Sequence, residues 1–359
     1  MKKLLSAIAV MSVIAFSAAA YNPPVNGDVF YELSSPRQLT NASSVTGGAL
    51  FYAGPESLIT NPALTASEQR VDLNFGYTAL FGNDGEGNSS YGQAFQLGIL
   101  VPFKWSVMSG YLNGTMIPSK GSMAPLNLGN SVNVKYGLSK EITDKLNIGM
   151  NINFGAFWGA DTDFAFSGNL GFVYNWGNLG FMKDFRYGAS ILNLGKNYNH
   201  STLPKLKANK LDGAFPTVAT LKIGAAGSFL SNDTVKLGWS FDLTTPMFMN
   251  LITDMGIQFS IKDMFYINIA DEFNVRELYN GHINIVPSIG FSFRFTFDVK
   301  NSEYFTKNGW NQSEMSISAA WKQLYKSINA VSGGVDMNLG LKDKTPPTIK
   351  ILLDDEDEE

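Results

Sequence analysis

The residues that could carry out chemistry in this chain are few and scattered. There is no cysteine, and the only two histidines are His200 and His282. Thiolate metal sites are therefore impossible, and without a histidine pair we expect no zinc site. Asp84, Glu86 and Asn88 offer oxygen ligands, but they lack the full spacing of a calcium loop. No serine-hydrolase, phosphate-loop or dinucleotide fingerprint occurs either, so we expect a protein that is not an enzyme and holds no metal or cofactor.

The strongest pattern in the sequence is an alternation of apolar and polar residues from Ile283 to Val299. Its odd positions are Ile, Pro, Phe and Val, whereas most of its even positions are polar and include Arg294 and Asp298. Because side chains alternate between the two faces of a strand, this stretch predicts one apolar face and one polar face. A soluble sandwich could bury the apolar face, and a membrane β-barrel could turn it toward lipid.

The N-terminus and the composition favour the membrane barrel. Residues 1–20 begin with Lys2-Lys3, continue with an apolar run and end in three alanines, which predicts a signal peptide cut before Tyr21. Later in the chain no apolar window is long enough for a membrane helix. Only 16% of the residues are charged, 13% are aromatic and 35 are glycine. A net charge of -4 without a basic stripe argues against nucleic acid as a partner.

The same alternation recurs along the chain and predicts fourteen strands between residues 69 and 341. They are expected near 69–80, 92–102, 104–117, 130–140, 145–158, 165–176, 184–194, 217–230, 234–244, 251–261, 264–274, 283–298, 313–323 and 329–341. An even number of strands and an alternation of long and short connections are typical of a bacterial antiparallel barrel. We therefore expect a transmembrane barrel of about fourteen strands in the bacterial outer membrane, with both termini in the periplasm.

Charges on the polar faces of the predicted strands should point into the lumen, because a charge in lipid is costly. Lys135, Lys236, Asp242 and Arg294 are such lumen-facing residues. They could form a polar path or contact other parts of the chain inside the barrel, or simply fill the lumen.

The third strand has the weakest alternation, since it carries Gly110 and Gly114 and is followed by Pro118. Glycine has no side chain to pack and proline no donor for the strand ladder, so pairing should be poorest there. We therefore expect a lateral opening of the wall beside this strand.

Two segments lie outside the predicted barrel. Residues 21–68 have no period-two pattern but many Pro and Gly residues, and they are too many for a linker. A barrel of fourteen strands is wide enough to hold them, so we interpret them as a plug. Residues 342–359 contain Pro346-Pro347 and end in six consecutive acidic residues, which predicts a disordered periplasmic tail.

Two blocks of sequence resemble a known superfamily. The segment Gly48–Leu64, centred on Asn61, Pro62 and Ala63, resembles the plug motif of the FadL family of outer-membrane transporters. The block Leu170–Lys196 is similar to the FadL-related group that includes PorV and PorQ, and still closer to an uncharacterised spirochaetal family of that superfamily. This resemblance implies a fourteen-stranded barrel with an N-terminal plug, in agreement with the strand count.

The resemblance also implies a function. FadL-like proteins move long-chain fatty acids or other apolar molecules through the barrel and sideways into the membrane, whereas PorV-like relatives are partners for secretion or surface attachment. We expect a channel for hydrophobic small molecules in contact with outer-membrane lipid, with an opening close to the Asn61-Pro62-Ala63 turn. The alternatives are a PorV-like scaffold for a surface or secretion protein, and a general porin, which a plug argues against.

Overall fold

The computed structural model describes residues 21, 23–83, 89–103, 105–118, 126, 128–159, 162–199, 214–281, 286–299, 302–324 and 328–340. The predicted signal peptide, both histidines, the oxygen ligands at 84–88 and the acidic tail 342–359 lie outside the described residues. No helix in the described part of the chain is long and apolar enough to cross a membrane.

The chain folds into a closed barrel of fourteen antiparallel strands, in which each strand pairs with its sequence neighbours and β1 pairs with β14. The strands are β1 Val71–Asn83, β2 Ser89–Pro102, β3 Val107–Met116, β4 Asn130–Glu141, β5 Leu146–Trp158, β6 Thr162–Leu179, β7 Met182–Lys196, β8 Thr220–Ser231, β9 Val235–Pro246, β10 Ile252–Ile261, β11 Phe265–Asn274, β12 Ser288–Asp298, β13 Gln312–Leu324 and β14 Ile328–Leu339. The predicted fold of an outer-membrane β-barrel is confirmed.

The period-two pattern decides which face of each strand turns outward. In β1 the side chains of Leu73, Phe75 and Tyr77 are exposed on the outside, whereas Asp72 and Asn74 are buried on the inside. The same division repeats around the barrel, because a closed sheet has no edge and every strand presents one face to the lumen.

The strand that carries the strongest alternation is shorter than predicted. β12 begins at Ser288, not at residue 283, and residues 282–285 lie outside the described part. Its ladder with β11 ends at the pair Ser288 and Ala270. Pro287 precedes it and has no N–H to extend the ladder, so the apolar alternation continues beyond the paired segment.

The connections define two rims of the barrel. The loop rim carries the connections after odd-numbered strands, of which 117–129, 197–219 and 275–287 are the longest. The turn rim carries the connections after even-numbered strands, and these are short except for 299–311. Two short helices lie in these connections, α2 (Val275–Tyr279) at the loop rim and α3 (Glu303–Lys307) at the turn rim.

The N-terminal segment, residues 21–70, lies inside the barrel. It contains α1 (Pro36–Leu39) and two 3₁₀ helices, Pro55–Leu58 and Pro62–Ser67. Its contacts with the inner wall begin at the loop rim, where the guanidinium of Arg276 in α2 lies 5.5 Å from the centre of the Tyr21 ring. They end at the turn rim, where Arg70 pairs with Glu314 at 2.6 Å.

The two ends of the described chain therefore lie at opposite rims. Tyr21 is at the loop rim, while β14 ends with Leu339 at the turn rim. This differs from the expectation that both termini lie on the same side, because the N-terminal segment crosses the lumen before it enters β1.

Candidate functional site

The N-terminal segment packs against a ring of inward-facing glycines in the barrel wall. At each of them an added Cβ would come within 3.0 Å of an atom of the N-terminal segment. This glycine ring consists of Gly76, Gly98, Gly137, Gly149, Gly171, Gly188, Gly224, Gly238, Gly290 and Gly334. Because these residues have no side chains, the segment can approach the wall closely on ten of the fourteen strands.

The predicted motif Asn61-Pro62-Ala63 lies at the centre of this contact. The Asn61 side chain caps the second 3₁₀ helix by accepting the Ala63 N–H at 3.1 Å, and its Nδ2 donates to the Phe172 carbonyl of β6 at 2.9 Å. It also donates to the Val45 carbonyl at 2.8 Å. The extended Asn61 backbone (φ -159°) is the conformation that a following proline favours. The motif therefore joins two parts of the N-terminal segment to the wall.

One arginine of the wall holds the segment through its backbone. The buried Arg186 guanidinium of β7 donates to the carbonyl oxygens of Thr46 (2.8 Å), Gly48 and Ala49 (3.3 Å). Hydrogen bonds from a charged donor are among the stronger ones in proteins. Sequence reasoning did not select Arg186, since nothing in the local alternation tells where the carbonyls of a distant loop will lie.

The structure separates the four predicted lumen charges into two places. Asp242 and Lys135 contact the N-terminal segment: Asp242 accepts from the Val45 N–H at 2.8 Å, and Lys135 Nζ lies 3.7 Å from the centre of the Tyr31 ring. Lys236 and Arg294 instead line an open vestibule at the turn rim. The four residues therefore do not form one path.

The turn-side vestibule has a volume of about 930 Å³. Its floor is made by the N-terminal segment, including Phe51 and Tyr52, and its walls carry charged residues such as Arg186, Lys236 and Arg294. Lys236 pairs with Asp263 at 2.7 Å, and the Arg294 guanidinium lies 5.1 Å from the centre of the Tyr266 ring. This half of the lumen is wide and polar.

The loop-side half of the lumen holds the buried ion pairs of Lys222 with Asp254 and of Lys322 with Glu272, but part of it is apolar, which the sequence analysis missed. A buried cluster of side chains fills this part, called here the loop-side apolar cluster. Its wall residues are Leu80, Phe157, Ala165, Ala320, Leu324, Ile328 and Ala330, its loop residues are Ile117, Leu126, Leu128, Tyr198 and Phe215, and the N-terminal segment adds Val25, Phe30, Tyr31 and Leu33.

The rings of this cluster pack edge to face and tilted, with the Phe30 and Phe215 centroids 5.7 Å apart and the Phe157 and Tyr198 centroids 5.3 Å apart. A sequence signal for the cluster does exist. The inward face of β1 reads Asp72, Asn74, Gly76, Thr78 and then Leu80, so it changes from polar to apolar toward the loop rim.

The third strand does not show the poor pairing that its glycines predict. β3 pairs with both β2 and β4 at ten consecutive positions from Val107 to Met116, through Gly110 and Gly114. Pro118 follows the strand end and is exposed. Glycine weakens a strand through its conformational entropy, but in this closed sheet the ladder on both sides continues through it.

The pairing between β6 and β7 is irregular instead, as it also is between β7 and β8 and between β8 and β9. Its register shifts between the pairs Gly168–Leu194 and Leu170–Ile191, so that β7 has an extra residue there. Asn193 has a positive φ of 61°, and its N–H donates to Asn169 Oδ1 at 2.7 Å. The Asn169 amide in turn donates to the Leu58 carbonyl of the N-terminal segment at 3.1 Å. This bulge in the wall is thus joined directly to the segment inside.

An apolar groove of about 420 Å³ crosses the outer surface of β3 to β7 beside this bulge. Exposed apolar side chains line it, among them Met108, Tyr136, Met150 and Leu170. Its lining also includes Gly137 and Asn169, whose inner sides both contact Leu58. At this point only a glycine backbone and one asparagine separate the outer groove from the N-terminal segment.

No metal site is visible, because no three carboxylate or imidazole groups among the described residues are placed to hold an ion. Outside the strands, burial raises the pKa of Asp28, which accepts hydrogen bonds from Tyr21 and Thr217. These contacts tie the start of the N-terminal segment to the loop rim.

No protein-family model matches the chain, and no curated protein sequence matches it significantly. Solved structures do match. A TodX deltaS2S3 mutant monoaromatic hydrocarbon channel has a TM-score of 0.54 at 14% identity, over 86% of this chain and 100% of that chain. A deltaS2 mutant of the same channel has a TM-score of 0.52 at 11% identity, over 87% and 99%. The toluene transporter TodX of Pseudomonas putida has a TM-score of 0.50 at 12% identity, over 84% and 97%.

At these identities the likeness shows the fold alone. In its fold, this chain is similar to these TodX channels. These structures do not support the closer relationship to PorV, PorQ and the spirochaetal family.

Proposed function

We propose that the protein is an outer-membrane channel for hydrophobic small molecules, with the N-terminal segment as its plug. The observation that carries the proposal is the loop-side apolar cluster. A general porin needs a polar, water-filled lumen, whereas a buried apolar cluster occupies part of this lumen near the loop rim and an open vestibule lies at the turn rim. An apolar solute inside the barrel can pack against the rings of Phe30, Phe157 and Phe215 and so take the place of the contacts between them.

The fold likeness supports the same proposal, since two of the matching structures are monoaromatic hydrocarbon channels and another is a toluene transporter. Long-chain fatty acids are the more specific cargo that we propose, on the basis of the sequence resemblance. In the proposed orientation the turn rim faces the periplasm and the loop rim faces outward, because long connections of such barrels lie outside. In this proposal the lipid of the outer membrane contacts the exposed outer face of the barrel.

We further propose that cargo leaves sideways through the wall between β3 and β7. The sequence hypothesis put this opening at Gly110, Gly114 and Pro118, and β3 does border the apolar groove through Met108. The bulge at Asn169 moves the proposed outlet toward β6, where Leu58 touches the wall from inside. A shift of the first 3₁₀ helix away from Gly137 would leave a thin, apolar stretch of wall between the lumen and lipid.

The experiment that tests the channel is the binding and uptake of apolar probes by the full-length protein. Lipids and hydrocarbons retained after gentle purification are identified by mass spectrometry, and uptake of toluene, dodecane and laurate is measured in proteoliposomes. Phe157→Ala removes a buried ring from the loop-side apolar cluster, while Phe164→Ala removes a ring that is 68% exposed on the outer face.

We expect Phe157→Ala to change the probe that is taken up or its affinity, and Phe164→Ala to behave as the unmodified protein. If the unmodified protein takes up none of the apolar probes, the channel proposal is wrong.

A scaffold for a surface or secretion protein is the second candidate. The observation that favours it is the long turn-side connection 299–311, where Tyr304, Phe305 and Trp310 form a ring cluster and Tyr304 is 63% exposed. Exposed aromatic residues are common at protein interfaces, although they also suit a membrane boundary. Co-purification of a stoichiometric protein partner that is lost with Tyr304→Ser, together with absent uptake, would favour this candidate.

A further inference from the structure

We propose that the contact between the first 3₁₀ helix and strands β1 and β14 is a proton-binding latch, which holds the N-terminal segment in the lumen at low pH and weakens as the pH rises. The latch consists of Glu56 from the 3₁₀ helix, Asp72 from β1, and Asp336 from β14, together with Arg37 from α1. This inference rests on the plug of the proposed function, but not on what the channel carries.

Asp336 takes most of the donors in the latch. Arg37 donates to Asp336 Oδ2 through Nη2 at 3.0 Å and through Nε at 3.2 Å. Tyr52 donates its hydroxyl to Asp336 Oδ1 at 3.0 Å, and the Asn74 amide donates to the same oxygen. These hydrogen bonds give both carboxylate oxygens of Asp336 donor partners.

Glu56 and Asp72 are left without such donors. Both residues are 0% exposed, and neither side chain has a hydrogen bond to any described residue. Glu56 Oε1 lies 4.0 Å from Arg37 Nε, whose guanidinium already binds Asp336. A buried ionised carboxylate without donors is costly, whereas a protonated carboxyl is neutral. The structure therefore favours protons on Glu56 and Asp72.

The charges around the latch do not change this preference for protonated Glu56 and Asp72. Three carboxylates face one guanidinium, and Tyr52 and Tyr111 are the other titratable groups packed against Glu56 from the N-terminal segment and β3. Burial raises the pKa of Tyr52 well above its usual range, so it is neutral. Glu68 also faces Asp72 but is bound by Arg70 at 2.9 Å. With all groups ionised, the latch would carry an excess of buried negative charge.

The direction of the pH effect follows from linkage. Burial, and after it the charge of Asp336, raises the pKa of Glu56 from 4.5 to about 8. A group whose pKa is raised in the seated state stabilises that state fully below its solvated pKa. This stabilisation falls as the pH rises from about 4.5 and is lost once the pH passes about 8. Deprotonation puts a negative charge on the 3₁₀ helix beside Asp336, and repulsion then weakens the contact.

The test is the ion conductance of single full-length barrels in planar bilayers between pH 5 and pH 9. The variants are Glu56→Gln, Asp72→Asn and the double variant, which keep the shape of each side chain but cannot ionise. Glu303→Gln, an exposed acid of α3 far from the latch in the chain, is the matched control.

In the unmodified protein and in Glu303→Gln we expect the open fraction to rise between pH 5 and 8, by at most about tenfold per pH unit for each proton released. The double variant should stay closed across the range, and each single variant should have a shallower rise. A flat or falling profile in the unmodified protein would overturn the latch, as would the same rise in the double variant.

A second readout covers variants that insert poorly. The chain has no cysteine, so Ala66→Cys gives a single thiol at a position that is 2% exposed in the second 3₁₀ helix. The maleimide labelling rate, divided by the rate in the Glu56→Gln background at the same pH, removes the pH dependence of the thiol itself. This ratio should increase from pH 5 to 8, and a constant ratio would refute the latch.

The result is separable from the channel proposal. Uptake of an apolar probe with a conductance that does not depend on pH would overturn the latch and leave the channel standing. A pH-dependent conductance without uptake of any apolar probe would support the latch and contradict the channel.

Discussion

Gly149→Ala is the most direct perturbation of the contact between the N-terminal segment and the wall. A Cβ at position 149 would lie 2.5 to 2.6 Å from three backbone atoms, Pro62 C and O and Ala63 N. Backbone atoms cannot rotate away as a flexible side chain can, so the segment or the strand must move. Forcing one extra carbon into a packed contact costs about 1–3 kcal/mol. This penalty falls on the seated state, because an unseated segment leaves position 149 open to the lumen.

A penalty of this size shifts the equilibrium between seated and unseated segment about 5- to 150-fold, since 1.4 kcal/mol corresponds to a factor of ten. We expect Gly149→Ala to open more often or for longer in single-channel recordings, with unchanged insertion and heat-resistant mobility on gels. The strand itself should not suffer, because alanine loses less conformational entropy than glycine in a strand.

Gly333→Ala is the matched control. Gly333 lies in β14 on the outer face, and an added Cβ there would meet no atom within 4 Å. It should conduct as the unmodified protein does. Equal conductance of Gly149→Ala and Gly333→Ala would refute the argument that the Pro62–Ala63 backbone closes the lumen against β5.

Two other substitutions test the segment and the wall. Arg186→Met removes the guanidinium that donates to three backbone carbonyls of the N-terminal segment. Each hydrogen bond to a charged group is worth about 1.5–3 kcal/mol, so this substitution should raise the open probability in the same recordings. The control Arg294→Met removes a vestibule residue and should leave the open probability unchanged. Equal effects of the two substitutions would contradict the role of Arg186. Phe291→Lys on the outer face should lower the free energy of unfolding in bilayers, measured by urea titration, by about 2–4 kcal/mol if residue 291 lies near the midplane. Ser292→Lys in the vestibule should lower it much less. Equal losses for the two substitutions would contradict the assignment of the outer and inner faces of β12.

The barrel was predictable because its signal is local. Strand pleating has a period of two wherever a strand forms, so Leu73, Phe75 and Tyr77 indicate an outward face without knowledge of any partner. The same local rule overextended β12, because Pro287 continues the alternation but lies beyond the last pair with β11. Pairing depends on the neighbouring strand, and the pattern of one strand does not contain it.

The candidate site was predicted only in part. Asn61-Pro62-Ala63 was recognised from its resemblance to a plug motif, and its local geometry follows from the proline. Lys135 and Asp242 were expected in the lumen on the strength of their faces, but not as contacts of Tyr31 and Val45. Such contacts join residues more than one hundred positions apart, and no local spacing encodes them.

The sequence by itself determined the number of strands, their outward faces and the general direction of the lumen charges, because each follows from residues a few positions apart. Only the tertiary structure decided how residues 21–70 cross the lumen. That path selects which inward glycines face a backbone, brings Glu56 from the N-terminal segment beside Asp72 and Asp336, and gathers the apolar ends of several strands into one cluster. These features depend on the closure of β1 onto β14, which places residues from opposite ends of the chain on neighbouring strands.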